Sequence, residues 1–314
     1  MTKEERQVRE RHLIQLQALP LEIKILKSKQ RIREFYNETG GKVYISFSGG
    51  KDSTVLLNLV REEFPDVVAV YCDTGLEYPE LKKFVEKQDN IEIIKPKITF
   101  VEVIEEYGFP VINKEVSMNL EYAKKNKAWA INRLKGLEAD GSFRENGFKK
   151  RFKKYYYLIN APFKISGKCC DIMKKRPFKL FEKNTKLNPM LGTMVQESKF
   201  RKESWLKNGC NAFNSSRPLS QPLSFWTEQD ILNYIKSNNL EVASVYGNLI
   251  EDEKGKLSFD GCQRTGCMFC ALGAHLEKGK NRFEKMKETH PKIYDYCINK
   301  LGLKEVLDFI GVKY

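Results

Sequence analysis

The hexapeptide Ser48-Gly49-Gly50-Lys51-Asp52-Ser53 combines two glycines, a cation, a carboxylate and two hydroxyls. It follows a short apolar run, "KVYISF", and opens a helix-like run, "STVLLNLVREEF". The glycines let the backbone approach an anion closely, and the free N–H groups at the start of the helix aim at it. Ser48 and Ser53 add hydroxyl donors and Lys51 a positive charge, so the loop is suited to holding phosphate. It is not a Walker loop, which requires G-x-x-x-x-G-K-[ST]. Ile45 stands at the first glycine position and Asp52 at the Ser/Thr position, which disfavours γ-phosphoryl transfer. A carboxylate beside phosphates makes sense when it faces magnesium, and Asp52 is assigned that role.

Sulfur is the second chemical signal. The chain has eight cysteines, which in a reducing compartment point to metal or sulfur chemistry before disulfides. Cys169 and Cys170 are adjacent, Cys267 and Cys270 form C-x-x-C, and Cys262 lies just upstream of them. A C-x-x-C turn directs two thiolates at one metal centre, and a second pair completes a set of four. Adjacent cysteines diverge, which suits a four-iron four-sulfur cluster better than a single zinc ion; zinc stands as the alternative. Cys72 and Cys297 read as core residues and Cys210, in "KNGCNAF", as an ordinary loop residue that could carry sulfur.

A scaffold must hold these groups, and the 314-residue chain is long enough to bury one without staples. Residues 3–37 read as helical with a break at Pro20. "GGKVYISFS", "DVVAVYCDTG" and "IEIIKP" read as strands separated by the helices "DSTVLLNLVREEF" and "LEYPELKKFVEKQ". Short strands alternating with helices predict an α/β fold with a doubly wound, mostly parallel sheet. "TEQDILNYIKSNNL" predicts an amphipathic helix capped by Thr227, with Asp230 at its third position. The expected organisation is a helical segment at 1–38, a nucleotide-binding α/β domain at 39–235 and a smaller C-terminal lid at 236–314 carrying the C-x-x-C loop. Within the middle domain, residues 124–155 form a basic stretch interleaved with aromatics ("KKNKAWAINRLKG", "FKKRFKKYYY"). Cations for phosphates and rings for bases suit a nucleic acid, tRNA or DNA. The excess of 55 Lys and Arg over 41 Asp and Glu, +14 in all, also favours a polyanionic partner. No apolar run approaches the roughly 18 residues of a membrane span. "MTKEERQVRERHLIQLQ" has no apolar signal core, so a cytoplasmic location is expected.

After a strand, "SGGKDS" resembles the PP-loop of ATP pyrophosphatases, enzymes of the adenine nucleotide α-hydrolase-like fold. The resemblance implies that the loop cradles the β,γ-pyrophosphate of ATP while the α–β bond breaks. "DTGLEYPEL" at 73–81, "CCDIMKKRPF" and "QPLSFWTEQDILNYI" narrow it to the phosphoadenosine phosphosulfate (PAPS) reductase group, over about residues 40 to 280. "GCMFC" resembles the C-x-x-C element of adenylyl-sulfate reductases. The resemblance implies a four-iron four-sulfur cluster on Cys169, Cys170, Cys267 and Cys270, with Cys262 as the replacement for one of them. Ser48, Gly49, Gly50, Lys51 and Ser53 would hold pyrophosphate. Asp73, Thr74 and Gly75, at the end of the second strand, would meet the ribose and adenine. Lys174, Lys175 and Arg201 are candidates for neutralising charge at the α-phosphate. Lys51, Asp52 and Arg201 form the expected catalytic set.

Two departures from the reductases matter. No cysteine after Cys270 sits in their E-C-G-[IL]-H motif, Cys297 being the only one there, and the S-G-G-x-D-S loop is intact. The expected activity is therefore ATP-dependent sulfur insertion: adenylation of an acceptor, then displacement by sulfur, with a sulfur donor or reductant protein as partner. The alternatives are a PAPS or adenylyl-sulfate reductase, and a non-catalytic nucleotide-binding subunit of a nucleic-acid modification system.

Overall fold

The computed structural model describes residues 1–143 and 148–314. The basic stretch expected at 124–155 therefore includes four positions, 144–147, that lie outside the described residues. The strands are β1 (Val43–Ser46), β2 (Ala69–Cys72), β3 (Ile91–Ile94), β4 (Val111–Ile112), β5 (Asn188–Leu191), β6 (Asn211–Ala212), β7 (Leu219–Ser220), β8 (Leu249–Glu251), β9 (Leu257–Phe259) and β10 (Ala271–Leu272). The helices are α1 (Lys3–Gln17), α2 (Leu21–Glu38), α3 (Lys51–Glu63), α4 (Pro79–Glu86), α5 (Phe100–Glu106), α6 (Lys114–Lys124), α7 (Ala128–Leu134), α8 (Arg176–Thr185), α9 (Lys199–Asn208), α10 (Glu228–Ser237), α11 (Arg282–Thr289), α12 (Pro291–Asp295) and α13 (Leu303–Ile310). Among the described residues no helix is long and apolar enough to cross a membrane.

The chain forms two compact units that interleave in sequence. One holds residues 1–73, 78–94 and 178–265; the other holds 74–77, 95–177 and 266–314. The first contains a six-stranded sheet in the order β3-β2-β1-β5-β7-β6. Every neighbouring pair is parallel except β6 with β7. The chain travels outward from β1 to β3, then returns to the other side of β1 as β5, so β1 is the switch point of a doubly wound sheet. Alternation along β1 sends Val43, Ile45 and Phe47 into the main core with Val55, Leu56, Leu59 and Ile231. Tyr44 points to the opposite face, against Val70 and Phe181 of α8. Both faces are covered, which is why these strands are apolar almost throughout.

The helical segment expected at 1–38 packs against the sheet domain and belongs to this unit. Ile32 and Phe35 are fully buried. Ser28 donates to the Pro222 carbonyl and accepts from Trp226 Nε1, both at 2.9 Å. Lys24, 2% exposed, pairs with Asp230 at 2.7 Å. The same Asp230 oxygen accepts the Thr227 N–H and hydroxyl, completing the predicted capping box of α10. One carboxylate thus starts one helix and anchors another.

The expected boundary at 235 is absent. Residues 236–265 join the first unit because the β8–β9 hairpin buries Leu257 and Phe259 in its core. Gln229 of α10 closes the edge, donating to the Leu257 carbonyl and accepting its N–H. The C-x-x-C loop is not in a C-terminal lid: it belongs to a unit that also draws on 95–177. There β10 pairs in parallel with β4, Ala271 opposite Val111, and Val111, Val116, Leu120, Leu134, Leu158, Phe283, Leu303 and Val306 are buried.

Removing one partner of a buried ion pair strands the other charge. Asp230→Ala should lower unfolding stability by about 3–5 kcal/mol in urea titrations. Lys24→Met should cost less, because the Thr227 bonds still satisfy Asp230; equal losses would contradict this account of α2 docking.

Candidate functional site

The hexapeptide lies where the sheet topology places a ligand crevice, in the bend from β1 to α3 at the switch point. Gly49 has φ +71°, and a Cβ there would sit 2.9 Å from Val85 Cγ2 and 3.3 Å from the Leu81 carbonyl of α4. Conformation and space both require glycine. On the other side, a Cβ on Gly192, just past β5, would lie 2.9 Å from the Asp52 carbonyl. Backbone thus packs on backbone around the bend. The serines shape it from within: Ser53 Oγ donates to the Gly50 carbonyl at 2.8 Å and receives the Ser48 N–H at 3.2 Å, while Ser48 Oγ accepts from Gly50 N–H at 3.3 Å. Ser53 is buried and Ser48 exposed. Gly50 caps α3 without a side-chain bond, so no side chain of the cap competes for the helix's first amides.

Charge converges on Asp52. Its Oδ1 is buried with no hydrogen-bond partner, the nearest cation being Lys51 Nζ at 3.8 Å. Burial pushes the carboxyl above its ordinary range; Lys51 opposes this, Glu228 adds to it, and Arg264 and Arg201 pull it back down. Lys51 is 4% exposed, with Nζ 3.2 Å from the Gln263 carbonyl and 3.5 Å from Glu228. Arg201 of α9 pairs with Glu197, four residues earlier and just before the helix. Lys51 and Arg201, expected to act with Asp52, thus both lie within its electrostatic reach, and Glu228 and Arg264, which the sequence reading missed, join the same charge cluster.

Two further residues were missed. The Lys51 N–H donates to Tyr246 Oη at 3.0 Å, and that hydroxyl is 2.9 Å from Thr265 Oγ1. No local pattern marks Tyr246, which reaches the loop only through the fold.

Asp73 follows β2 and receives Lys82 Nζ at 2.9 Å. The next two expected residues belong to the second unit. Thr74 donates its hydroxyl to Glu77 at 2.8 Å, and Gly75, with φ +71°, has open space around its missing Cβ.

The second unit assembles four thiols. Cys169 and Cys170 lie at the start of a helical turn that widens to a π-helix over Asp171–Lys175, the kind of local unwinding that recurs at functional sites. Cys270 N–H donates to the Cys267 carbonyl at 3.2 Å, closing the C-x-x-C turn. β10 then carries that turn alongside β4, and Arg282 holds the Cys270 carbonyl at 3.0 Å. All six pairs among Cys169, Cys170, Cys267 and Cys270 lie within electrostatic reach. Burial, then the neighbouring thiols, push Cys169 well up; burial likewise pushes Cys267 up to about 11, against Lys174. Burial alone would lower Lys174, but Cys267 and Glu77 raise it, and its ammonium is 3.0 Å from Glu77. Lys174 thus stands beside Cys267 and Glu77, and Lys175 is exposed. Cys262 belongs to the first unit, its thiol donating to the Arg264 carbonyl at 2.9 Å. Among the described residues no three His, Cys, Asp or Glu side chains converge tightly enough for one ion. Cys72, Cys210 and Cys297 are buried.

The phosphoadenosine phosphosulfate reductase domain family matches residues 42–272. An uncharacterized protein of Methanocaldococcus jannaschii is 25% identical over 285 residues, covering 88% of this chain and 52% of that protein. A phosphoadenosine 5'-phosphosulfate reductase of Photorhabdus laumondii is 31% identical over 72 residues, 23% of this chain and 30% of that enzyme. The chain thus spans about half the length of the first relative, and its match to the second is shorter still. The crystal structure of PAPS reductase from Candida auris, in a phosphate complex, aligns over 82% of this chain and 98% of that one, at 14% identity and a TM-score of 0.40. The family match runs from β1 through the phosphate-suited bend and both cysteine pairs to β10, and the chain belongs to the phosphoadenosine phosphosulfate reductase family, within the adenine nucleotide α-hydrolase-like superfamily.

Proposed function

We propose that this chain is an ATP pyrophosphatase-type sulfurtransferase. It takes ATP with magnesium and opens the α–β bond to adenylate an acceptor oxygen, releasing pyrophosphate; a sulfur nucleophile then attacks the atom that bears this oxygen, and AMP leaves carrying the oxygen. The observation that carries the reading is Asp52: a buried carboxylate oxygen without a hydrogen bond, in the switch-point bend, within the field of Lys51, Arg201 and Arg264. A carboxylate so placed is costly unless a cation meets it, and magnesium bridging phosphates would do so. In this reading the bend's amides hold the departing pyrophosphate. Lys51, Arg201 and Arg264 offset charge that builds on the α-phosphate and leaving group. Asp73, just past β2, meets the ribose and adenine end.

The four thiols of the second unit fit an iron–sulfur cluster, whose several metal atoms accept thiolates set wider apart than one ion does. Burial, with neighbouring thiols adding to it, holds Cys169 and Cys267 toward the protonated form, a pressure relieved when thiolates bind metal. When bound, such a cluster supplies a site for sulfur or electrons. Lys174 and Glu77 fix the charge around Cys267. The acceptor we propose is a nucleic acid, tRNA or DNA. Support comes from ring–cation pairs in the basic stretch, such as Arg133 over Trp129 at 5.1 Å and Lys154 over Tyr155 at 4.9 Å. Some of its cations are already committed: Lys125 to Glu121 and Arg151 to Glu115.

A sulfonucleotide reductase needs an accessible nucleophilic thiol. Cys297, the candidate after Cys270, is fully buried and pushed up to about 12 by that burial, which makes it inert.

Asp52→Asn separates function from stability. Pyrophosphate release from ATP should fall by about 100-fold or more, the scale of losing a charge-stabilising group. The ligand-free protein should instead melt at higher temperature. The sign follows from the raised carboxyl: the folded state favours the proton, so stability is lost as pH rises through the folded pKa, and the loss persists at neutral pH. Undiminished pyrophosphate release would sink the assignment. Separately, anaerobically prepared protein should carry about four iron atoms per chain and absorb broadly near 400 nm. Cys267→Ser should lower both while leaving ATP affinity within about two-fold; zinc in place of iron would overturn the cluster.

A further inference from the structure

Lys51 begins α3, and its N–H is one of the first-turn amides that find no acceptor inside the helix. Those amides are what an anion in the bend would use. The Lys51 N–H is already engaged by Tyr246 Oη at 3.0 Å. Since the amide can only donate, the tyrosine oxygen accepts, and its single proton is free to go to Thr265 Oγ1 at 2.9 Å. Tyr246 is 2% exposed and packs its ring on Phe259, 5.0 Å between centroids. Burial pushes the phenol up to about 12, so it stays neutral. A Cβ on Gly50 would meet Thr265 Oγ1 at 3.2 Å and Tyr246 Oη at 3.3 Å, so both hydroxyls sit on the bend itself. Gln263, two residues before Thr265, takes Lys51 Nζ on its carbonyl.

We propose that Tyr246 and Thr265 form a hydroxyl latch that competes with the pyrophosphate end of a nucleotide for the first amide of α3, and so sets how tightly the bend holds that group. The inference rests on reading the bend as a pyrophosphate site. A charged phosphate oxygen is a stronger acceptor than a neutral phenol, so it displaces the hydroxyl, at the cost of the bond the latch already makes. The latch reforms when pyrophosphate leaves, which weakens retention of that product.

The test is calorimetric titration of the full chain with inorganic pyrophosphate. Tyr246→Phe frees the Lys51 N–H and should bind pyrophosphate about five-fold more tightly, the worth of one net hydrogen bond. Its ligand-free melting temperature should fall. Thr265→Val, which keeps the phenol but removes its acceptor, should tighten binding in the same direction by less. Weaker or unchanged binding in Tyr246→Phe, with the wild type binding normally, makes the hydroxyl a phosphate ligand or a bystander and ends the proposal alone. If neither the wild type nor Tyr246→Phe binds pyrophosphate or ATP, the reading of the bend falls and the latch with it.

Discussion

Backbone meets backbone at the switch point of the sheet, and the rest of the first unit is arranged around that contact. Gly49 turns with a positive φ against α4, and Gly192 at the end of β5 lies on the Asp52 carbonyl. Neither position has room for a side chain. The strand order makes this necessary: β5 returns beside β1, so the chain leaving β5 and the bend leaving β1 must share the same narrow crevice. A methyl group at either glycine would force the bend to move, and with it the amides of α3 and the carboxylate of Asp52.

Holding the bend in place also fixes a cluster of charge that is unfavourable by itself. Lys51 is almost wholly buried and Asp52 has an oxygen without a hydrogen bond; Glu228 from α10 and Arg264 from the chain after β9 bring further charge. Buried charges of this kind persist in folded proteins where function requires them and the remaining core supplies the stability. Here that core includes α2 and α10, joined through Lys24, Asp230, Ser28 and Trp226. The second unit repeats the pattern in sulfur, where burial, with neighbouring thiols adding to it, raises Cys169, Cys267 and Cys270 beside a lysine–glutamate pair.

Much of this was legible in the sequence because its signals are local. The glycine loop, the strand–helix alternation, the Thr227–Asp230 cap and the two cysteine pairs each lie within a dozen consecutive residues, where spacing alone carries the physics. What was not legible depends on distant partners. Tyr246 meets Lys51 across 195 positions, and nothing in "SVYGNL" announces a hydroxyl aimed at a helix N-terminus. The interleaving of the two units hangs on β4 and β10, strands of two residues each, too short to leave a period. Lys174 stood out by its type alone, and its neighbours Cys267 and Glu77 were not legible because the fold sets them. The chain does not divide at 235 for a related reason: the β8–β9 hairpin buries its apolar face in the sheet domain instead of forming a core of its own.

The central claim is that the bend after β1 holds the diphosphate that leaves ATP. A crystal structure of the protein with magnesium and a non-hydrolysable ATP analogue tests it most directly. The account predicts the β- and γ-phosphates against the amides of Gly49 to Ser53, with the metal on Asp52. A nucleotide bound with its phosphates elsewhere and the bend free of phosphate would contradict it.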